Sequence, residues 1–188
     1  MTKKSLILQV NILPFVLVYL VTAASNVSIK NKQNEVSVDV LDREIQRSRK
    51  DRVEALEKFF DEFKSPLKAN AGTFVDVADK YNIDYKLLPA ISCMESSCGK
   101  KLIEGSYNPF GWGIYGDNAI YFESYDEAIE TVAKGIKENY LEKGLDTPEK
   151  IAPVYTPPNY VNWRNGVTFF IDKIDSFKQA GSEVQFAS

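Results

Sequence analysis

The sequence predicts a mainly α-helical domain (α+β, because one small β-hairpin interrupts it) preceded by an N-terminal helix. Three observations carry that prediction. Apolar residues recur at three- and four-residue spacing in successive stretches between Asp39 and Phe177. Cap and breaker residues such as Ser65-Pro66, Asn82 and Ser124 separate those stretches. One segment, 100–122, holds too many glycines and aromatic residues to continue the helical pattern.

Taken in chain order, residues 24–38 are polar and aperiodic and are expected to form a linker. Residues 39–63 follow as an amphipathic helix, since Leu41, Ile45, Val53, Leu56, Phe59, Phe60 and Phe63 fall near one stripe. The charged middle, Arg47 to Arg52, faces solvent on this reading, and the second half packs on the domain. Ser65-Pro66 opens the next helix, the hydroxyl capping and the proline sitting where no donor is needed. That helix runs from Leu67 to Tyr81 with Phe74, Val75, Val77 and Ala78 inward. Asn82-Ile83-Asp84 breaks it, and Asp84 caps a third helix from Tyr85 to about Ser96, slightly bent by Pro89. Gly113-Ile114-Tyr115 and Ala119 to Phe122 flank Gly116-Asp117-Asn118 as a small hairpin. Ser124-Tyr125-Asp126-Glu127 is a capping box for a helix through about Asn139. Thr147-Pro148-Glu149 opens a short helix near Ile151, Pro157-Pro158 is a loop, and Tyr160 to about Phe177 is the last helix. Val161, Val167, Phe170, Ile171 and Ile174 are its expected inward face, and 178–188 is a tail.

The chain has 188 residues, 44% of them hydrophobic and 12% aromatic, which supports one ordinary domain with a segment to spare. That segment is 1–23. Lys3-Lys4, an apolar run from Ile12 to Val21 and the small-residue exit Val21-Thr22-Ala23 read as a secretory signal peptide. Its length also suits a retained membrane anchor. Both readings place the rest outside the cytoplasm, secreted or anchored on the outer side. Removing 1–23 takes away two lysines and no acid, so the net charge moves from −3 to −5. An acidic chain of pI about 5.2 is a poor partner for nucleic acid, whose phosphates need Lys and Arg.

The chain contains no histidine. Ser-His-Asp and Cys-His catalysis are therefore excluded, and two cysteines supply only half a structural zinc site, so no metal and no cofactor is expected. Cys93 and Cys98 are too far apart to bridge inside a continuous helix. They form a disulfide if the helix ends near Ser96 and the chain curls at Gly99, and otherwise stay as two buried thiols. What remains is carboxylate chemistry, and glycoside cleavage needs little else. Glu95 continues the apolar face Leu87, Leu88, Ile91 and Met94, so it points at the interior or a cleft. A carboxyl in an apolar pocket keeps its proton to a higher pH, as the general acid of lysozyme does. Met94, Tyr107, Phe110 and Trp112 are candidates for that wall, and their aromatic faces suit sugar rings. The plainer alternative pairs Glu95 with Lys100 or Lys101.

Met94-Glu95-Ser96-Ser97-Cys98-Gly99-Lys100 followed by Asn108-Pro109-Phe110-Gly111 resembles the lysozyme-like superfamily of bacterial cell-wall hydrolases, in its glucosaminidase and lytic transglycosylase branches. The resemblance covers residues 65–177 and implies a lysozyme-like catalytic domain there, acting on peptidoglycan or a related N-acetylhexosamine glycan. It implies Glu95 as catalytic acid. Asn108 would position backbone or substrate, Phe110 would pack the cleft floor, and Trp112 and Tyr115 would contribute to substrate binding. Tyr155 or Tyr160 would line the cleft from the far lobe. The chain lacks the Gly-Leu-Met-Gln segment that usually follows the Glu-Ser of a transglycosylase. No second carboxylate is marked by spacing; Glu104, Asp117 and Glu123 lie in the right region. Without one, the N-acetyl group or the muramic 6-hydroxyl would have to attack the anomeric carbon, so hydrolase and transglycosylase both stay open.

Trp163 with Tyr155, Pro157, Pro158 and Tyr160 forms an aromatic-proline cluster, read as core packing or as a glycan subsite. The functional expectation is an exported enzyme that cuts the glycan strand of peptidoglycan. Two alternatives are a glycan-binding module without turnover and an interaction protein associating through residues 39–63.

Overall fold

Helices dominate the computed structural model, which describes the backbone of residues 13–113 and 120–186 and the side chains of 37–113 and 120–178. The helices are α1 (Leu13–Glu62), α2 (Ala71–Tyr81), α3 (Leu87–Ser96), α4 (Tyr125–Asn139), α5 (Pro148–Tyr155) and α6 (Tyr160–Phe186). No strand occurs among the described residues, and the expected hairpin lies mostly on 114–119, outside them. The chain falls into two units, Met1–Arg47 and Ser48–Ser188.

In the first unit the backbone is helical from Leu13, so residues 24–38, expected as an aperiodic linker, are helical instead. Leu41 and Ile45 are exposed there, and Arg43 donates to Asp39 one turn earlier at 2.5 Å. The signal or anchor segment lies partly outside the described residues. Among those described, no helix is long and apolar enough to cross a membrane.

The second unit takes in the last part of α1, from Ser48. Leu56, Phe59 and Phe60 are fully buried, as the stripe predicts. Phe60 packs on Phe74 of α2 (5.4 Å between centroids), and Phe59 and Phe63 meet Phe170 of α6 at 6.3 and 5.5 Å. Two arginines frame this seam. Arg49 and Arg52 each make paired hydrogen bonds of 2.6 and 2.8 Å, to Asp76 and Asp79 of α2 respectively. The Arg49 pair holds the Asp76 carboxyl below its ordinary range.

The expected Leu67–Tyr81 helix is divided into a 3-10 turn, Pro66–Asn70, and α2. Ser65 explains the entry: its hydroxyl oxygen accepts from the Leu67 N–H at 3.0 Å and donates to the Cys98 carbonyl at 2.7 Å. Asn82 ends α2 in the left-handed conformation. Asp84 accepts from the Lys86 N–H at 3.0 Å, a local turn that delays the start of α3 from Tyr85 to Leu87. Pro89 thereby falls in the first turn, where its missing N–H is not needed.

The Ser124 capping box opens α4 as expected, with the Glu127 N–H donating to Ser124 Oγ at 3.2 Å. The 157–159 segment is a single 3-10 turn. Helix α6 runs through the expected tail to Phe186. Its buried face is Trp163, Val167 and Ile174, with Phe170 and Ile171 partly buried. Val161, expected inward, is exposed, because two residues before Trp163 is about 200° around the helix. Helix α3 packs along α6, α5 also against α6, and α2 against α4.

Candidate functional site

Glu95 sits one residue before the end of α3, and the way that helix stops determines where the carboxyl points. Three consecutive residues, Ser97, Cys98 and Gly99, take positive φ (55°, 59° and 77°). This reversal brings Cys98 back to Cys93, and the two form a disulfide that closes a loop around Glu95. The buried Ser96 hydroxyl lies 2.7 Å from the Pro109 carbonyl and 2.8 Å from that of Ser92, sharing its one proton between them, and accepts from the Gly99 N–H at 2.9 Å. Ser96 therefore ties the helix carrying Glu95 to the segment carrying Phe110.

That segment forms one wall of a groove of about 670 Å³, made by Phe110, Gly111, Trp112 and Gly113. The end of α4 (Asn139, Tyr140, and Lys143 just beyond) and the end of α5 (Val154, Tyr155) form the other, with Glu95 between them. Phe110 is fully buried and rests edge-on against Phe74 at 6.4 Å, a firm floor. Trp112 lies against Gly135 of α4, where a Cβ would come within 2.4 Å of the indole. Only glycine leaves room for that ring.

The Trp163 indole N–H donates to Glu95 Oε1 at 2.7 Å. Trp163 is 3% exposed and packs on Tyr155 at 4.8 Å, which in turn meets Tyr140 at 5.9 Å. Burial pushes the Glu95 carboxyl above the ordinary glutamate range, against the opposing pull of the indole bond. By surface area Glu95 is exposed. The two facts are compatible in a concave wall, where water reaches the carboxyl from the groove while protein surrounds its other sides. Burial, then the charge of Glu95 and then Tyr140 keep the Tyr155 hydroxyl protonated well beyond the ordinary tyrosine range. The plainer pairing of Glu95 with Lys100 is not formed, since Lys100 Nζ donates to the Phe63 carbonyl at 2.7 Å.

Of the residues expected at this site, Glu95, Phe110, Trp112 and Tyr155 come together. Asn108 does not bind from the wall: it is 4% exposed, and its amide is fully engaged with backbone. Its Nδ2 donates to the Trp112 and Ile120 carbonyls (2.9 and 3.1 Å), and its Oδ1 accepts from the Trp112 N–H (3.0 Å). It shapes the loop that presents Trp112. Tyr160 is 42% exposed in the first turn of α6 and does not line the groove. Met94 turns instead to Gly166 of α6. Tyr107 faces a different hollow, with Glu104. Glu123 is exposed and its N–H caps onto Glu127. Tyr115 and Asp117 lie outside the described residues. Glu95 is the one carboxylate among the described lining residues, and no cluster of metal-ligating side chains occurs among the described residues.

Nothing local in the sequence marks Trp163 as the hydrogen-bond partner of Glu95, or Tyr140, Asn139, Lys143 and Val154 as the opposite wall. A partner 68 positions away leaves no local trace, and the end of α4 carries no signal beyond ordinary helix termination.

Fold and site together define a mainly helical protein in which Glu95 is the one carboxyl among the described residues lining an aromatic-walled groove. No protein-family model matches the chain, and no curated protein matches it.

Proposed function

We propose that this chain is an exported, lysozyme-like enzyme that cleaves the glycan strand of peptidoglycan with Glu95 as general acid. The observation that carries the reading is a carboxyl biased toward its protonated form and held by Trp163 in a groove walled by Phe110, Trp112 and Tyr155. A groove of that volume accommodates sugar rings, and the partly exposed Trp112 and Tyr155, above the buried Phe110, suit their apolar sides.

Of the two routes that stay open, the one that Glu95 can serve without a second carboxylate takes its nucleophile from the substrate. Glu95 gives its proton to the bridging oxygen as the C1–O bond breaks. The 6-hydroxyl of the same muramoyl residue bonds to C1 and returns its proton to Glu95. The products are a 1,6-anhydro end and a free 4-hydroxyl, and the acid is regenerated without water. Attack by the N-acetyl oxygen followed by water would leave a reducing end instead.

The test is digestion of purified peptidoglycan by the full chain and by a Glu95→Gln variant, with the released ends read by mass spectrometry. The expected result is cleavage by the parent with anhydro ends, and loss of cleavage with retained binding in the variant. Equal cleavage by both removes Glu95 from the chemistry. Binding without cleavage by the parent leaves a glycan-binding module.

A further inference from the structure

The glycine-rich segment that walls the Glu95 groove also borders a second hollow, of about 380 Å³, lined by Lys100, Ile103, Glu104, Gly105, Tyr107 and Tyr125 among others. Nothing in the proposed chemistry uses it. Along this segment the chain repeatedly enters the left-handed region, and at 99, 105, 111 and 113 the residue there is glycine, which tolerates it. Tyr107 is the exception, a bulky side chain at φ 45°. Its neighbours force the conformation. Ser106 and Asn108 are both buried. The Ser106 N–H donates to the Ile103 carbonyl (3.0 Å), its carbonyl accepts from Phe122 (2.9 Å), and its hydroxyl accepts from the Asn108 N–H (3.3 Å). With both flanking residues tied inward, the residue between them is pushed out.

The exposed ring is held in place. Tyr107 is 43% exposed and meets the part-buried Tyr125 edge-to-face at 5.2 Å, so one tyrosine braces the other. Glu104 supplies an acceptor at the same hollow, and Lys100, whose ammonium is held at the Phe63 carbonyl, borders it. A braced aromatic ring with a charged side chain beside it is a surface a pyranose ring prefers: C–H groups lie on the ring while hydroxyls reach the polar group.

We infer that this hollow is a second saccharide-binding site, in which Tyr107 is the stacking platform for an N-acetylhexosamine unit. The inference rests on the glycan reading of the Glu95 groove for the identity of the sugar, and not on Glu95 as a catalyst. Its use would be to hold a polymer while the groove acts on it.

The test titrates an N-acetylglucosamine oligomer into the full chain carrying Glu95→Gln, so that nothing is cut, and follows tyrosine and tryptophan ring signals by NMR. Saturable shifts of the Tyr107 and Tyr125 rings are expected. Adding Tyr107→Gly should abolish the Tyr125 shift and weaken the oligomer by roughly 2- to 10-fold. Glycine suits the φ at 107, which offsets part of the lost contact with Tyr125, and chemical denaturation of the variant separates a binding role from a structural one. Shifts confined to Trp112, no binding at all, or unchanged affinity on losing the ring would each overturn the inference. Failure of the acid role is read separately, in the peptidoglycan digest.

Discussion

Glu95 is governed by two opposed influences, and each can be removed alone. Burial favours the protonated form, while the Trp163 N–H favours the carboxylate. Replacing Trp163 with Phe deletes the donor, so the Glu95 pKa should rise further. Activity that needs the protonated acid falls as pH rises through that pKa, so the alkaline limb of kcat/KM should move to higher pH. The smaller ring should also cost about 1–3 kcal/mol in urea unfolding. A limb that moves to lower pH would contradict the assignment. Stability gives a second reading. A raised native pKa means the folded state holds the proton more tightly than the unfolded chain does. The group's favourable contribution is then present in acid and is lost as pH climbs from the ordinary glutamate value through the raised one. A Glu95→Gln variant lacks that dependence. Its stability relative to the parent should increase as pH climbs from the ordinary glutamate value through the raised one, as measured by chemical denaturation. Glu95 was legible in the sequence because it follows Ile91 by four residues and Leu88 by seven, which continues one apolar helical face. Trp163 was legible only as a core residue, since nothing local pairs it with a carboxyl on another helix.

At the scale of elements, the groove depends on how closely the aromatic segment approaches α4. Gly135 permits that approach, and a Cβ there would lie 2.4 and 2.8 Å from two atoms of the Trp112 indole. Gly135→Ala should therefore displace Trp112 while gaining about 1 kcal/mol of helix propensity. Cleavage should fall by roughly 10- to 100-fold, with thermal stability changed by no more than a few degrees. Unchanged cleavage would mean that Trp112 is not a working wall. Helix existence and order were readable from periodicity and caps, and α4 and α5 begin where Ser124 and Thr147-Pro148 predict. The misreadings cluster where local hydrogen bonds outweigh pattern: the Asp84 turn delays α3, and the 3-10 turn after Ser65 takes the first residues from α2. Asn108 illustrates the same point at the site. Its type and position drew attention, but only the surrounding carbonyls reveal that it holds backbone in place of substrate.

For the whole molecule, the resemblance puts the start of the catalytic domain at residue 65, whereas the compact unit begins at Ser48. The difference is physical, because Leu56, Phe59 and Phe60 are fully buried in that unit. Truncating a core Phe to Ala typically costs 3–5 kcal/mol, and whole domains are stable by only about 5–15 kcal/mol. A chain beginning at Ser48 should therefore melt cooperatively, and one beginning at Ser65 should show no cooperative transition by circular dichroism. Equal melting of the two would return the boundary to 65. The proposed function itself rests on one proton. Following the Glu95 side-chain carboxyl by carbon NMR across a pH titration of the full chain tests it most directly. The account predicts an inflection above the ordinary glutamate value that is absent from the Glu95→Gln variant. An inflection at or below that value would leave the groove without its acid.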